Sequence, residues 1–146
     1  MDDKPVIVGV DGSPDSLRAL QWAAEYARVY EAPLQALTAF EVPAIYGPSA
    51  MAGWQDAQLL EKDSRSMLAD AVREALGEGA QVEERVLRGH PAEALVKASP
   101  EAQLVVVGSR GRGGFTGMLL GSVSQHVVTH AHSPVLVMPH EDLAKH

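Results

Sequence analysis

A chain of 146 residues, 46% hydrophobic and 21% charged, holds enough aliphatic material for one substantial core, so a single domain over residues 1–146 is expected. The absence of cysteine excludes disulfides, thiolate nucleophiles, iron–sulfur clusters and cysteine-based zinc sites. A formal net charge of −7 argues against nucleic acid and anionic membrane surfaces as partners and leaves a small anion at a local site open.

The opening MDDKPVIVGVDGS has no basic region followed by the apolar stretch of a secretory signal. No apolar run approaches the roughly 20 residues that span a bilayer, and a cytoplasmic setting is therefore expected.

In chain order, Pro5 to Val10 is a continuous β-branched run, the pattern of a strand buried on both faces. Asp11-Gly12 turns the chain, Ser13 caps a helix and Pro14 suits its first position. Leu17, Leu20, Ala24 and Ala27 then recur at helical spacing, predicting a helix over 14–31. Leu34 to Phe40 predicts a second strand. A long loop is expected over 41–54, where Pro43, Gly47, Pro48 and Gly53 fall, and it could fold over a ligand as a lid.

Leu60, Met67, Leu68, Ala71 and Leu76 predict a helix over 56–76, ended by Gly77 and Gly79. Val82 to Leu87 predicts a third strand, Gly89-His90-Pro91 the entry to a short helix over 91–99, and Gln103 to Val107 a fourth strand. Met118 to Ala131 reads as a helix, and Val135 to Met138 as a fifth strand closed by Pro139.

Strands alternating with helices in this way predict an α/β fold: an open parallel five-stranded sheet, Rossmann-like, with helices on both faces. In such sheets ligands bind beyond the carboxyl ends of the strands, where successive crossovers go to opposite faces. With the strand order 3-2-1-4-5 that crevice lies between the first and fourth strands. Its mouth is then formed by VDGS and by GSRGRGGFTGMLLGS, residues 108–122.

Six of those fifteen residues are glycine. Glycines that adopt positive φ can turn successive N–H groups into one concavity, and a phosphate is the natural occupant. Ser122 and Ser124 offer hydroxyls, Arg110 and Arg112 offer charge-assisted hydrogen bonds, and a following helix presents its positive end. There is no Gly-Lys-Ser/Thr, and no GxGxxG between the first strand and first helix, so the site belongs neither to the P-loop nor to the dinucleotide-fingerprint class.

The spacing Gly108-x2-Gly111-x9-Gly121-Ser122 resembles the G-x2-G-x9-G-[S/T] motif of the ATP-binding members of the universal stress protein family. The resemblance extends through VIVGVDGS, GHPAEALVKAS, VVVGSRGRGG, LLGSVSQHVV and SPVLVMP. It implies a sheet in the order 3-2-1-4-5, ATP between the first and fourth strands, and a homodimer formed through the last strand, Val135–Met138.

The same resemblance places Asp11 and Gly12 near the ribose or a bound Mg²⁺, with Asp11 the metal ligand, and Phe40 by the adenine. It sets Val107 and Gly108 against the sugar. Ser109, Arg110 and Gly111 lead to the phosphates, and Gly121, Ser122, Val123 and Ser124 close around them.

The function implied is that of an ATP-binding regulator or sensor in the stress response. A slow ATPase, or a dimeric interaction module binding AMP or no nucleotide, is the alternative, since Asp11 is the one carboxylate placed at the site and dedicated catalysis needs a positioned base. His126, His130 and His132 are read as surface or packing residues, and His90 as a turn residue. The last strand is expected at a sheet edge, covered either by a second copy or by its own tail, HEDLAKH.

Overall fold

The protein is described by a computed structural model covering residues 3–42, 50–110 and 120–141. The elements follow in the order β1 (Val6–Gly9), α1 (Pro14–Val29), β2 (Leu34–Phe40), α2 (Ala50–Leu76), β3 (Glu83–Arg88), α3 (Pro91–Ala98), a 3-10 turn (Ser99–Glu101), β4 (Leu104–Gly108), α4 (Ser122–His130) and β5 (Val135–Met138). The five strands form one parallel sheet in the order β3-β2-β1-β4-β5, as expected.

Central placement of β1 follows from its side chains: Val6, Ile7 and Val8 are fully buried. Val6 and Val8 face a core built with Ala19, Leu20 and Ala23 of α1 and Leu68 and Val72 of α2. Ile7 faces the other way, toward Ala92 and Leu95 of α3 and Val127 of α4. At roughly 1.5–3 kcal/mol for each fully buried aliphatic side chain, these three residues anchor both layers more strongly than any helix cap.

Because α1 and α2 cover one face and α3 and α4 the other, the crossovers change sides between β1 and β4. Val6, Ile7 and Val8 pair in parallel with Leu104, Val105 and Val106, so the carboxyl ends of β1 and β4 open side by side.

Most boundaries differ from the sequence reading by one or two residues, and two helix starts differ by four or more. Helix α2 begins at Ala50, inside the stretch expected to be loop; Ala50, Met51 and Ala52 are strong helix formers, and their preference outweighs the single Gly53. The expected lid falls on 41–54, of which 43–49 lie outside the described residues. Helix α4 begins at Ser122 and not at Met118: Leu120 is a bend, and Gly121 has extended backbone as the N-cap. Among the described residues, no helix is long and apolar enough to cross a membrane.

Candidate functional site

At the end of β1, Asp11 is exposed, and its Oδ1 accepts the Ser13 amide at 2.8 Å. Gly12 takes φ +83°, a conformation that a side chain would disfavour, and this lets the chain reverse directly into α1. Ser13 then caps the helix: its Oγ accepts from the Ser16 amide at 3.2 Å, with Pro14 at the first helical position.

Across the crevice, β4 ends in Val107, buried, and Gly108. The reason expected for the glycine, positive φ, does not apply there. A Cβ on Gly108 would lie 2.8 Å from the Cβ of Asp15 and 3.1 Å from its carbonyl carbon, so the missing side chain makes room for the first turn of α1.

Ser109, buried at the strand end, ties three elements together. Its amide donates to the Met138 carbonyl of β5 at 2.8 Å, and its own carbonyl accepts from the Gly121 amide at 2.6 Å and from the Ser124 hydroxyl at 2.7 Å. The Ser124 hydroxyl, buried and also 3.1 Å from the Gly121 carbonyl, is thus committed to holding the start of α4 rather than turned to a phosphate.

Helix α4 has no side-chain cap, because Gly121 occupies the N-cap with φ −76° and ψ 173°, and its first turn, Ser122-Val123-Ser124, carries no acidic residue. By contrast, α1 is capped by Ser13 and followed by Asp15, and α3 is capped by His90 and followed by Glu93. The first-turn amides of α4, at Ser122, Val123 and Ser124, therefore keep their positive potential for an anion. Ser122 is exposed at this end, Val123 half-buried against the α3 layer.

Phe40 ends β2, half-buried, and lines a cavity of about 320 Å³ with Gln58, Glu61, Val86 and Arg88 on the α2 side of the sheet. Its carbonyl accepts from the Gly89 amide at 2.8 Å. His90 is the cap of α3, Nδ1 accepting from the Ala92 amide at 3.2 Å, in keeping with a turn role. The structure thus brings Asp11, Gly12, Val107, Gly108, Ser109, Arg110 and Gly121 to Ser124 to the carboxyl ends of β1 and β4. Phe40 stands one strand away, and Gly111 lies outside the described residues.

Sequence reasoning missed Asp15, Arg18 and His140. The Asp15 side chain is only 4% exposed, yet Arg18 Nη2 donates to it at 2.8 Å, His140 Nδ1 stands 3.1 and 3.0 Å from its two oxygens, and the Arg110 amide and Ser109 hydroxyl reach Oδ2 at 3.3 and 3.4 Å. Burial alone would raise this carboxyl; the hydrogen bonds from His140, Arg18 and the Arg110 amide outweigh it and hold it below its ordinary 3.8. An acidic residue in a first helical turn was the available signal, but its partner stands 125 residues away.

The universal stress protein family model matches residues 4–139. The chain belongs to the universal stress protein family. This universal stress protein is 41% identical over 140 residues to one from Mycolicibacterium smegmatis, the match covering 92% of this chain and 45% of that one. It spans about half the length of the mycobacterial relatives it matches. Among solved structures, a universal stress protein in complex with cAMP is 32% identical, with TM-score 0.67 over 97% of this chain and 100% of that chain. Another, from Archaeoglobus fulgidus in complex with dAMP, is 26% identical, with TM-score 0.62 over 94% of this chain and 99% of that chain.

Proposed function

We propose that this universal stress protein binds ATP in the crevice between β1 and β4 and serves in the cytoplasm as a nucleotide-dependent regulator or sensor of stress. The observation that carries the reading is the open N-terminus of α4, without side-chain cap or acid, beside Ser109 and opposite Asp11. An anion at that position would satisfy first-turn amides of α4 that, among the described residues, no capping side chain engages. The motif spacing Gly108, Gly111, Gly121-Ser122 and the structures of relatives with cAMP and dAMP support an adenine nucleotide as its source.

In this reading the amides of Ser122, Val123 and Ser124 and the Ser122 hydroxyl hold phosphate oxygens, joined by Arg110 and Gly111. Val107 and Gly108 form the wall beside the sugar, Asp11 and Gly12 meet the ribose, and backbone groups near Phe40 meet the base. A Mg²⁺ ion carried by phosphates needs only one or two protein carboxylates, and the exposed Asp11 supplies one. The outer edge of β5, the last strand of the sheet, would pair with a second copy to give a homodimer.

A second reading, an adenine nucleotide with a single phosphate, is favoured by those same cAMP and dAMP complexes. Mass spectrometry of ligand released from freshly purified protein, with calorimetric titration of ATP, AMP and cAMP with and without Mg²⁺, separates the two. ATP recovered and bound most tightly supports the first reading, and preference for AMP or cAMP the second. No nucleotide recovered and none bound would overturn both.

A further inference from the structure

Beyond β5 the chain does not leave the molecule directly. Pro139, His140 and Glu141 fold over the first turn of α1: Arg18 Nη2 donates to the Pro139 carbonyl at 2.6 Å, Arg18 Nε lies 3.6 Å from Glu141 Oε2, and His140 Nδ1 meets both oxygens of Asp15. On its inner side the same carboxylate faces the Ser109 hydroxyl and the Arg110 amide, where the glycine-rich segment begins.

We infer that the Asp15–His140 contact is a clasp by which the tail following the edge strand β5 orders Ser109 and Arg110, and thereby sets the affinity of the nucleotide site. The clasp itself stands without the nucleotide reading; only its effect on affinity rests on that reading.

Three features make Asp15 the positioning residue. It sits close against the strand end, because the missing side chain of Gly108 lets the first turn of α1 approach β4. It is shielded, since His140 and Arg18 cover a carboxylate that water would otherwise solvate and draw outward. Its bonds to Ser109 and Arg110 are long, at 3.4 and 3.3 Å, so they depend on the outer partners holding the carboxylate against them. A partner that engages the outer edge of β5 and lifts the adjoining tail would remove that hold. Occupancy of the edge and of the crevice would then be coupled.

Amide hydrogen exchange by NMR on the full 146-residue chain tests the clasp without nucleotide. In His140→Ala the Arg110 amide is expected to exchange roughly fivefold faster, with core amides of β1 unchanged. His140→Asn, whose amide nitrogen occupies nearly the same position as Nδ1, is expected to restore slow exchange. Asp15→Asn, which lowers the acceptor strength of the central group, should loosen Arg110 as His140→Ala does. Unchanged exchange in His140→Ala, or equal loosening in His140→Asn, would overturn the clasp.

Titration of ATP into the same variants reads the coupling: weaker binding in His140→Ala, with recovery in His140→Asn, supports it. Equal affinity in both, alongside altered exchange, would overturn the link to the site. Failure of the unaltered protein to bind nucleotide would instead fall on the proposed function and leave the exchange result to decide the clasp.

Discussion

The Cβ of Asp15 stands 2.8 Å from where a Cβ of Gly108 would be. The first glycine of the motif therefore serves the packing of α1 on β4 as well as whatever occupies the crevice, and the two demands act on one residue.

Gly108→Ala is expected to destabilise the fold by about 1–3 kcal/mol, because the obstructing atoms include the backbone of Asp15 and the amide of Ser16, which cannot rotate away. Urea unfolding of the variant against the unaltered protein measures this. A loss smaller than about 0.5 kcal/mol would show that α1 can shift without cost.

Gly121→Asp separates stability from binding. The N-cap backbone at φ −76° and ψ 173° lies in a region open to L residues, and aspartate is among the preferred caps, so this buried position should keep the fold intact in a thermal melt. The same carboxylate would occupy the place proposed for phosphate, and nucleotide affinity should fall by ~100-fold or more. Retained affinity in calorimetry would remove phosphate from the end of α4.

The two serines at that helix end should part in the same way. Ser124→Ala deletes a buried hydrogen bond to the Ser109 carbonyl and is expected to cost about 0.5–1.5 kcal/mol of stability. Ser122→Ala removes an exposed hydroxyl, should leave stability within about 0.5 kcal/mol, and should weaken nucleotide binding. Thermal melts and titrations on the pair decide the assignment.

Acid stability follows from Asp15. A carboxyl whose folded value lies below its unfolded one contributes stability that is present above the ordinary 3.8 and is lost as pH falls through the lowered folded value. Asp15→Asn should lower stability at neutral pH and flatten the decline below pH 4, when unfolding free energy is followed against pH. A parallel decline in the variant and the unaltered protein would assign the acid response to other carboxylates.

The order of elements is legible in the sequence because each one announces itself locally. Leu34–Phe40 and Val135–Met138 match their predicted bounds, the first by its apolar run and the second by flanking prolines. Helix ends are less legible: the apolar pattern runs on into Leu120 without helix forming at Leu120 and Gly121, since an apolar pattern carries no record of where a hydrogen-bond ladder starts.

By itself the sequence determined the α/β class, the buried central strand and the family, all of which rest on periodicity, turn residues and motif spacing along the chain. Only the tertiary structure decided what the motif residues do. It assigned Gly108 to the close approach of α1, the Ser124 hydroxyl to Ser109, and Asp15 to a tail residue 125 positions away. The physical reason is range: propensity and capping act within a few residues, whereas steric fit and a buried carboxylate's choice of partners depend on which strand ends the sheet brings together.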